Sequence, residues 1–205
     1  MILKDAFTAI VNLYNNNVDA EVLWAEINTT YSHKKRYYHN LQHLENMYVE
    51  LLACKNLIAD WDTVVLSLVY HDIVYKATAK DNEEKSADIA VKRLTEINYP
   101  KEKTQLCKQQ ILATKSHELS NDNDTNLFTD ADLAILGSDW ESYVLYSKQV
   151  RKEYAIYPGF LYNPGRKKVL EHFLAMDSIF KTAVFKDKFE SAALLNIEKE
   201  IALLF

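Results

Sequence analysis

Apolar side chains recur at helical spacing along this chain, and the most informative run covers residues 60 to about 75. Its stripe consists of Trp61, Val64, Val65, Leu68 and Tyr75. Such spacing is typical of one face of a buried helix, and His71 and Asp72 continue it where further apolar residues would be expected. Removing even a neutral polar group from water without a partner costs roughly 2–7 kcal/mol. The pattern therefore predicts a compensating interaction, either a bound cation or a hydrogen-bonded His–Asp pair.

The same periodicity predicts helices along most of the remaining chain. The expected helices cover residues 3–16, 19–29, 44 onward, 81–98, 100–116, 127–136, 139–155, 166–176 and 187–204. We expect a polar loop at 120–126 and a turn region around the Pro-Gly pairs at 158–159 and 164–165. The chain has only three glycines and three prolines, which disfavours a β-rich fold with many tight turns. The sequence predicts an all-α fold, a helical bundle forming a single domain over residues 1–205.

The net charge and the two cysteines limit which partners and which cellular compartment we expect. The formal net charge is −5, and basic residues cluster only at His33-Lys34-Lys35-Arg36, so we expect no nucleic-acid polymer and no anionic membrane as partner. No apolar run approaches the roughly 20 residues of a membrane span. Two isolated cysteines form no disulfide framework, and residues 1–5 lack the features of a signal peptide. We therefore expect a cytoplasmic protein.

The polar residues that interrupt apolar stripes form a candidate metal set. They are His43, the His71–Asp72 pair, and one or both of Asp130 and Asp132. Two imidazoles with two carboxylates suit a divalent first-row metal such as Mn, Fe, Co, Ni or Zn. The helices of an antiparallel bundle can bring such separate segments together. A metal with open positions lowers the pKa of a bound water from 15.7 to about 7 in favourable sites, which gives hydrolytic chemistry at neutral pH.

These residues carry a resemblance to a known family. His43, His71-Asp72 and Ala131-Asp132 follow the H…HD…D order of the HD-domain metal-dependent phosphohydrolases. The segment 38–43, YHNLQH, is similar to the YHNxxH signature of the cyclic-nucleotide phosphodiesterases, distant relatives with the same helical core. Longer blocks at 71–75, 81–87 and 129–137 resemble an uncharacterised branch of HD-superfamily phosphohydrolases. The similarity covers about residues 36–180 and implies an HD-domain helical bundle.

The resemblance also implies roles for individual residues. The implied metal ligands, for one or two ions, are His43, His71, Asp72 and Asp132. His39, the first histidine of the YHNxxH segment, is implied to be the general acid that protonates the leaving oxygen. The alternative for His39 is a residue at a helix start that donates to a backbone carbonyl.

Asp130 is the alternative to Asp132 as the ligand from the third segment. Asp132 shares a helix face with Phe128, Ile135 and Leu136, and it matches the family's Ala-Asp position. Asp130 could instead cap the helix, because a side-chain oxygen at a helix start accepts from free amide N–H groups. We favour Asp132 as the ligand.

Four outer residues are candidates for binding the substrate phosphate or a second metal. They are Glu83, Glu84, Lys115 and His117. For the two glutamates the alternative is complementarity to a helix dipole, and for the other two it is a solvated cation at a helix end.

Two arginines and two further histidines are the remaining basic residues that we considered. Arg36 and Arg166 could bind phosphate oxygens through the guanidinium fork, but a surface salt bridge is the favoured interpretation of each. His33 and His172 lie outside the pattern, and we expect them to be structural or solvent-exposed.

The functional hypothesis is a metal-dependent phosphohydrolase acting on a phosphate ester of a small phosphorylated metabolite, with a nucleotide as the favoured substrate. Thirteen tyrosines would allow a base to stack in a pocket. The alternative is a catalytically inactive HD domain that binds metal and senses a phosphorylated ligand; a purely structural helical protein ranks last. A homodimer is left open. The YHNxxH match continues as Leu44-Glu45-Asn46 instead of the phosphodiesterases' Ala-Ala-Asp, so their cyclic-nucleotide specificity is not carried over.

Overall fold

The computed structural model describes residues 2–15 and 17–204 and places most of them in ten α-helices. The helices are α1 Ile2–Tyr14, α2 Ala20–Tyr31, α3 Leu41–Ala53, α4 Trp61–Tyr70, α5 Asn82–Glu96, α6 Lys101–Ala113, α7 Asn123–Leu133, α8 Trp140–Glu153, α9 Gly159–Leu174 and α10 Ala183–Leu203. Short 3₁₀ helices cover Lys55–Leu57 and Ala134–Gly137. No strand occurs in the described ranges, so the predicted all-α fold is confirmed.

Helix α4 lies at the centre of the molecule. Every residue from Thr63 to Tyr70 is buried, as expected for a helix enclosed on all sides. It packs against α1, α3, α5, α6 and α7, and its neighbours contribute apolar side chains to the same core cluster. The residues that follow the C-terminal end of α4 therefore lie in the interior of the bundle.

The predicted continuation of α4 to about residue 75 is wrong, because the helix ends at Tyr70. Tyr31 donates its hydroxyl to the carbonyl of Val69 and accepts the backbone N–H of Asp72. Arg36 donates to the carbonyls of Asp72 and Ile73, at 2.7 and 3.0 Å. Carbonyls at a helix C-terminus need partners outside the helix, and Tyr31 supplies one for Val69. Arg36 binds the carbonyls that follow the helix.

Three other predicted boundaries are also wrong. The loop expected at 120–126 is shorter, since Asp122 caps α7 by accepting the backbone N–H of Thr125. The turn region expected around 158–165 is helical, and Pro164 lies inside α9. There the buried face of α9, which includes Arg166 and Leu170, outweighs the lost backbone hydrogen bond. Helix α10 begins at Ala183 and not at residue 187.

Within the described residues, no helix is both long and apolar enough to cross a membrane.

Gly137 marks a close approach between the 3₁₀ helix Ala134–Gly137 and α10. A Cβ atom added there would lie 2.5 Å from the carbonyl oxygen of Phe189 and 2.6 Å from its Cβ. Because the first of these is a backbone atom, it cannot move aside independently of its helix. We expect Gly137→Ala to lower the free energy of unfolding by about 1–3 kcal/mol in urea titrations.

Gly165→Ala is the matched control for this prediction. Gly165 lies inside α9, and a Cβ added there meets no heavy atom within 4 Å. Alanine in a helix interior is favoured over glycine by roughly 0.5–1 kcal/mol, so this variant should be at least as stable as the parent. Equal stability of the two variants would contradict the close approach at Gly137.

Candidate metal centre

Three predicted ligands come from the ends of three helices. His43 lies in the first turn of α3, where the side chain of Asn40 caps the helix by accepting from the backbone N–H groups of Gln42 and His43. His71 follows the last residue of α4, and Asp132 is the penultimate residue of α7. These helices contact one another in pairs, so the three side chains converge.

The ligand atoms of His43, His71 and Asp132 form a group that could hold a metal ion. We call these three residues the metal group. One donor atom from each lies within 4.8 Å of the others. Asp132 Oδ1 is 3.2 Å from His43 Nε2 and 3.8 Å from His71 Nε2. The two histidines are only 3% and 2% exposed. Imidazole and carboxylate donors at this separation match the mixed set that first-row divalent metals prefer.

The histidine nitrogens fit a cation chemically. His71 Nδ1 lies 2.8 Å from the carbonyl oxygen of Leu68, which can only accept, so this nitrogen carries a proton. In the neutral ring, Nε2 then presents a lone pair to the group. His43 Nε2 and His71 Nε2 are both buried and make no hydrogen bond with any described residue. A cation would satisfy both nitrogens, and an outer carbonyl that orients a ligating histidine is a regular feature of metal sites.

The charges of the group are consistent with this arrangement. Burial alone would raise the pKa of Asp132, but the hydrogen bond from His117 and the nearby imidazoles of His43 and His71 hold it well below its usual range. Burial lowers the pKa of His43. Burial also opposes a charge on His71, but Asp72 and Asp132 outweigh it and raise the pKa of His71 to about 9. Without an ion, a proton on His71 therefore compensates the surrounding carboxylates.

Asp72, the fourth predicted ligand, borders this group without belonging to it. Its Oδ2 lies 3.4 Å from His71 Nε2 and 4.0 Å from His39 Nε2. Burial alone would raise the pKa of Asp72, but the two histidines keep it below its usual range. The side chain is an anion beside the metal group and faces His39 as well.

His117 holds the far oxygen of Asp132. Its Nε2 donates to Asp132 Oδ2 at 2.9 Å, while Oδ1 faces the two ligand histidines. The backbone of His117 has a positive φ of 53°, an uncommon conformation for a residue with a Cβ. The predicted role of His117 at a second metal or a phosphate stays a prediction; its contact in the structure is to the carboxylate.

The other outer candidates lie at the rim. Lys115 pairs with Glu84 and also donates to the carbonyl of Lys80, so its ammonium group is engaged within the protein. That contact keeps the pKa of Glu84 below its usual range. Glu83 lines the cavity described below, as does Lys115.

Asp130 does not belong to the group and instead binds the two residues that precede α10. It is fully buried and accepts from the backbone N–H groups of Lys181 and Thr182 and from the Thr182 hydroxyl, at 2.7–3.1 Å. These contacts stand at the start of α10 and not at the start of its own helix, α7. Its neighbour two residues on, Asp132, faces the histidines.

The two arginines do not form the surface salt bridges that we favoured. Arg36 donates to three backbone carbonyls, including that of His39 at 3.1 Å. Arg166 is 8% exposed and forms a bidentate pair with Glu200, with both distances 2.9 Å. His33 and His172 are solvent-exposed, as expected.

Glu153, at the end of α8, is a site residue that the sequence interpretation missed. Its Oε1 accepts the backbone N–H groups of residues 37, 38 and 39 at 2.8–3.0 Å. Its Oε2 lies 2.6 Å from His39 Nδ1 and accepts the Tyr75 hydroxyl at 3.0 Å. A signal was present, because Glu153 continues the apolar stripe of Tyr146 and Val150 at helical spacing.

A cavity of about 580 Å³ adjoins the candidate metal centre, and its volume is in the range of small-molecule sites. Its polar lining includes His39, His71, Asp72, His117 and Asp132. Its aromatic lining includes Tyr38, Tyr75, Tyr146, Tyr154 and Phe173.

Comparison of the chain with family models, with curated proteins and with solved structures finds no match in any of the three. The resemblance to the HD-domain phosphohydrolases therefore stays a prediction that rests on the motifs alone.

The metal group predicts different phenotypes for the two aspartates of α7. Asp132→Asn weakens a ligand, and we expect the affinity for Mn²⁺ or Zn²⁺ to fall by more than roughly 100-fold, since losing an outer hydrogen bond alone costs about 10–100-fold. Asp130→Asn should keep the metal in the folded protein but reduce stability by about 1–3 kcal/mol through lost buried hydrogen bonds. Calorimetric titration with metal and urea unfolding separate these outcomes. Loss of metal in Asp130→Asn alone would reverse the assignment.

His71→Ala should also abolish stoichiometric metal binding, because a bound ion there requires the buried Nε2. The matched control is His172→Ala, which removes an exposed imidazole. Elemental analysis of protein prepared without chelators checks both variants. A wild-type protein without transition metal under these conditions would contradict the metal centre.

Proposed function

We propose that the protein is a metal-dependent phosphohydrolase that hydrolyses a phosphate ester of a small phosphorylated metabolite, with a nucleotide as the favoured substrate. The observation that carries the proposal is the position of His39. Its Nε2 atom faces Asp72 beside the metal group, and its Nδ1 atom contacts the Glu153 carboxylate. A divalent ion, when bound, would activate a water molecule and polarise the phosphoryl oxygens. The remaining requirement of ester hydrolysis is a proton donor for the leaving oxygen.

His39 has the geometry of such a donor. Glu153 lies 2.6 Å from Nδ1, so that nitrogen carries a proton whether or not the ring is charged. The Nε2 atom faces Asp72 at 4.0 Å and borders the cavity. Tyr75 stacks on the ring at a centroid distance of 4.1 Å and an angle of 26°, which fixes the ring plane. In the protonated ring, the proton on Nε2 would therefore lie on the side of Asp72, which borders the metal group.

The electrostatics of His39 favour the protonated ring more than those of a free imidazole would. Burial alone would lower its pKa, but Asp72 and Glu153 outweigh burial and raise the pKa above its usual value. A general acid works best when its pKa lies near the operating pH, since it is then both protonated and able to release the proton. Asp72 serves twice here, since it faces His71 as well as His39.

Removal of the imidazole tests the proton donor. His39→Ala should keep the metal but lose about 10²–10⁴-fold in kcat, the usual contribution of a positioned acid. The assay is a screen of phosphorylated metabolites and activated phosphate esters with added Mn²⁺ or Ni²⁺. His33→Ala is the control, since His33 is exposed and outside the cavity.

Full turnover by His39→Ala would remove His39 from the mechanism. Metal binding without turnover on any substrate would instead favour the metal-binding, ligand-sensing alternative.

Glu153→Gln tests the positioning of the same ring. Glutamine keeps a carbonyl acceptor for the backbone N–H groups but removes the negative charge beside His39. With the charge removed, the pKa of His39 should fall, so the alkaline limb of the pH–kcat profile should move to lower pH. A merely structural role would reduce stability and leave that limb in place.

A further inference from the structure

A second recess adjoins the metal cavity and is not used by the proposed chemistry. It has a volume of about 330 Å³. Its walls include three tyrosines and three aliphatic residues, Tyr154, Tyr157, Tyr162, Val150, Leu161 and Val169. Three of these six, Val150, Tyr154 and Val169, also line the metal cavity, so the two spaces share a wall. We call this space the aromatic recess.

The aromatic recess offers little free charge. Arg166 lines it, but its Nε and Nη2 atoms donate to the two carboxylate oxygens of Glu200, both at 2.9 Å. The pair is buried, so Glu200 neutralises Arg166 locally. Arg166, the charged residue in the lining of the recess, therefore offers no free charge to a second phosphate or another anion. The recess is therefore suited to an uncharged group.

Arg151 holds the tyrosine walls in place. Its guanidinium donates to the carbonyls of Tyr154 and Tyr157, both at 3.0 Å. The same group lies over the ring of Tyr162, 4.5 Å from its centroid. The Tyr154 and Tyr162 rings are tilted, with centroids 6.0 Å apart. Fixed aromatic walls favour a flat ring, because aromatic pairs gain from offset and edge contacts beyond the burial of area.

Tyr162 supplies an unsatisfied polar group. The residue is 8% exposed, and its hydroxyl is buried without a hydrogen-bond partner among the described residues. Buried hydroxyls in folded proteins are nearly always paired, and an unpaired one is costly. A ligand atom that donates to or accepts from this hydroxyl would relieve the cost.

We propose that the aromatic recess binds the leaving group of the substrate, and that this leaving group carries a flat aromatic ring with a hydrogen-bonding substituent recognised by Tyr162. The proposal rests on the proposed function, which places the phosphoryl group at the metal group. With the phosphoryl end there, the ring would enter the recess, which shares Val150 and Tyr154 with the metal cavity. Tyr162 is then a residue that determines specificity.

Phosphonates test the recess without requiring turnover. Benzylphosphonate, hexylphosphonate and methylphosphonate share the charged end and differ in the attached group. In calorimetric titrations of the metal-loaded protein, we expect benzylphosphonate to bind about tenfold more tightly than hexylphosphonate, because the ring enters a preformed aromatic site without ordering a flexible chain. Equal affinities for the benzyl and hexyl compounds would overturn the proposal.

Gly165→Leu tests the location. Gly165 lines the recess, is solvent-exposed at its rim, and has no heavy atom within 4 Å of an added Cβ, so the variant should fold. Its side chain should reduce the ratio of benzyl to methyl affinity by about tenfold, since extra bulk in a binding space excludes the ring. Gly159→Leu is the matched control, at an equally open glycine of the same helix.

Tyr162→Phe tests the hydrogen bond. In the parent protein, 3-hydroxybenzylphosphonate should bind about three- to tenfold more tightly than benzylphosphonate, the usual range for one hydrogen bond. The variant should lose that difference. An unchanged difference in Tyr162→Phe, or an unchanged ratio in Gly165→Leu, would overturn the proposal.

The outcomes for the two proposals are distinguishable. Ring-selective binding that Gly165→Leu abolishes, without hydrolysis of any ester, would reject the phosphohydrolase and retain the recess as a ligand site. Hydrolysis with no preference for rings would retain the phosphohydrolase and reject the recess. Failure of all three phosphonates to bind would overturn the recess proposal as well.

Discussion

The structure depends on the enclosure of charged and lone-pair groups within an all-helical core. His43 lies at the start of one helix, and His71 and Asp132 lie at the ends of two others. The two histidines are almost completely removed from solvent. Burial of such groups is tolerated only when each finds a partner of opposite character. The carbonyl of Leu68 and the imidazole of His117 supply two of these partners, and the group could hold a cation as a third. The chemistry and the stability of this region therefore have the same origin.

The geometry of the site also depends on side chains that bind the backbone of the segments between helices. The residues that follow α4 have left the helix, yet Tyr31 and Arg36 bind their backbone groups from a different part of the chain. Glu153 does the same for the segment before α3. Side chains that bond to the backbone in this way give the irregular chain a defined position. Precise placement of His39 and Asp72 follows from these contacts.

Much of the fold could be predicted from the sequence because apolar periodicity is local. The helices followed from that periodicity, and polar residues on the apolar stripes indicated His43, His71 and one or both of Asp130 and Asp132. The choice of Asp132 rested partly on the family resemblance. The end of α4 could not be predicted this way, since it depends on Tyr31 and Arg36, which lie far away in sequence. Pro164 was misleading for a similar reason, because the packing of α9 outweighs a local preference. Glu153 was accessible in principle, as a charged residue on the stripe of α8.

The contacts of Glu153 have a consequence for the order in which the site is assembled. His39 and Glu153 are separated by 114 positions, and chains emerge from the ribosome from the N-terminus onward. His43, His71 and Asp132 can meet once α7 has been made, whereas the ring of His39 acquires its orienting carboxylate only after α8 has docked. A nascent chain would thus contain the metal group before the proposed proton donor is aligned. Competence for reaction would arrive as a late step of folding, separate from the capacity to bind an ion.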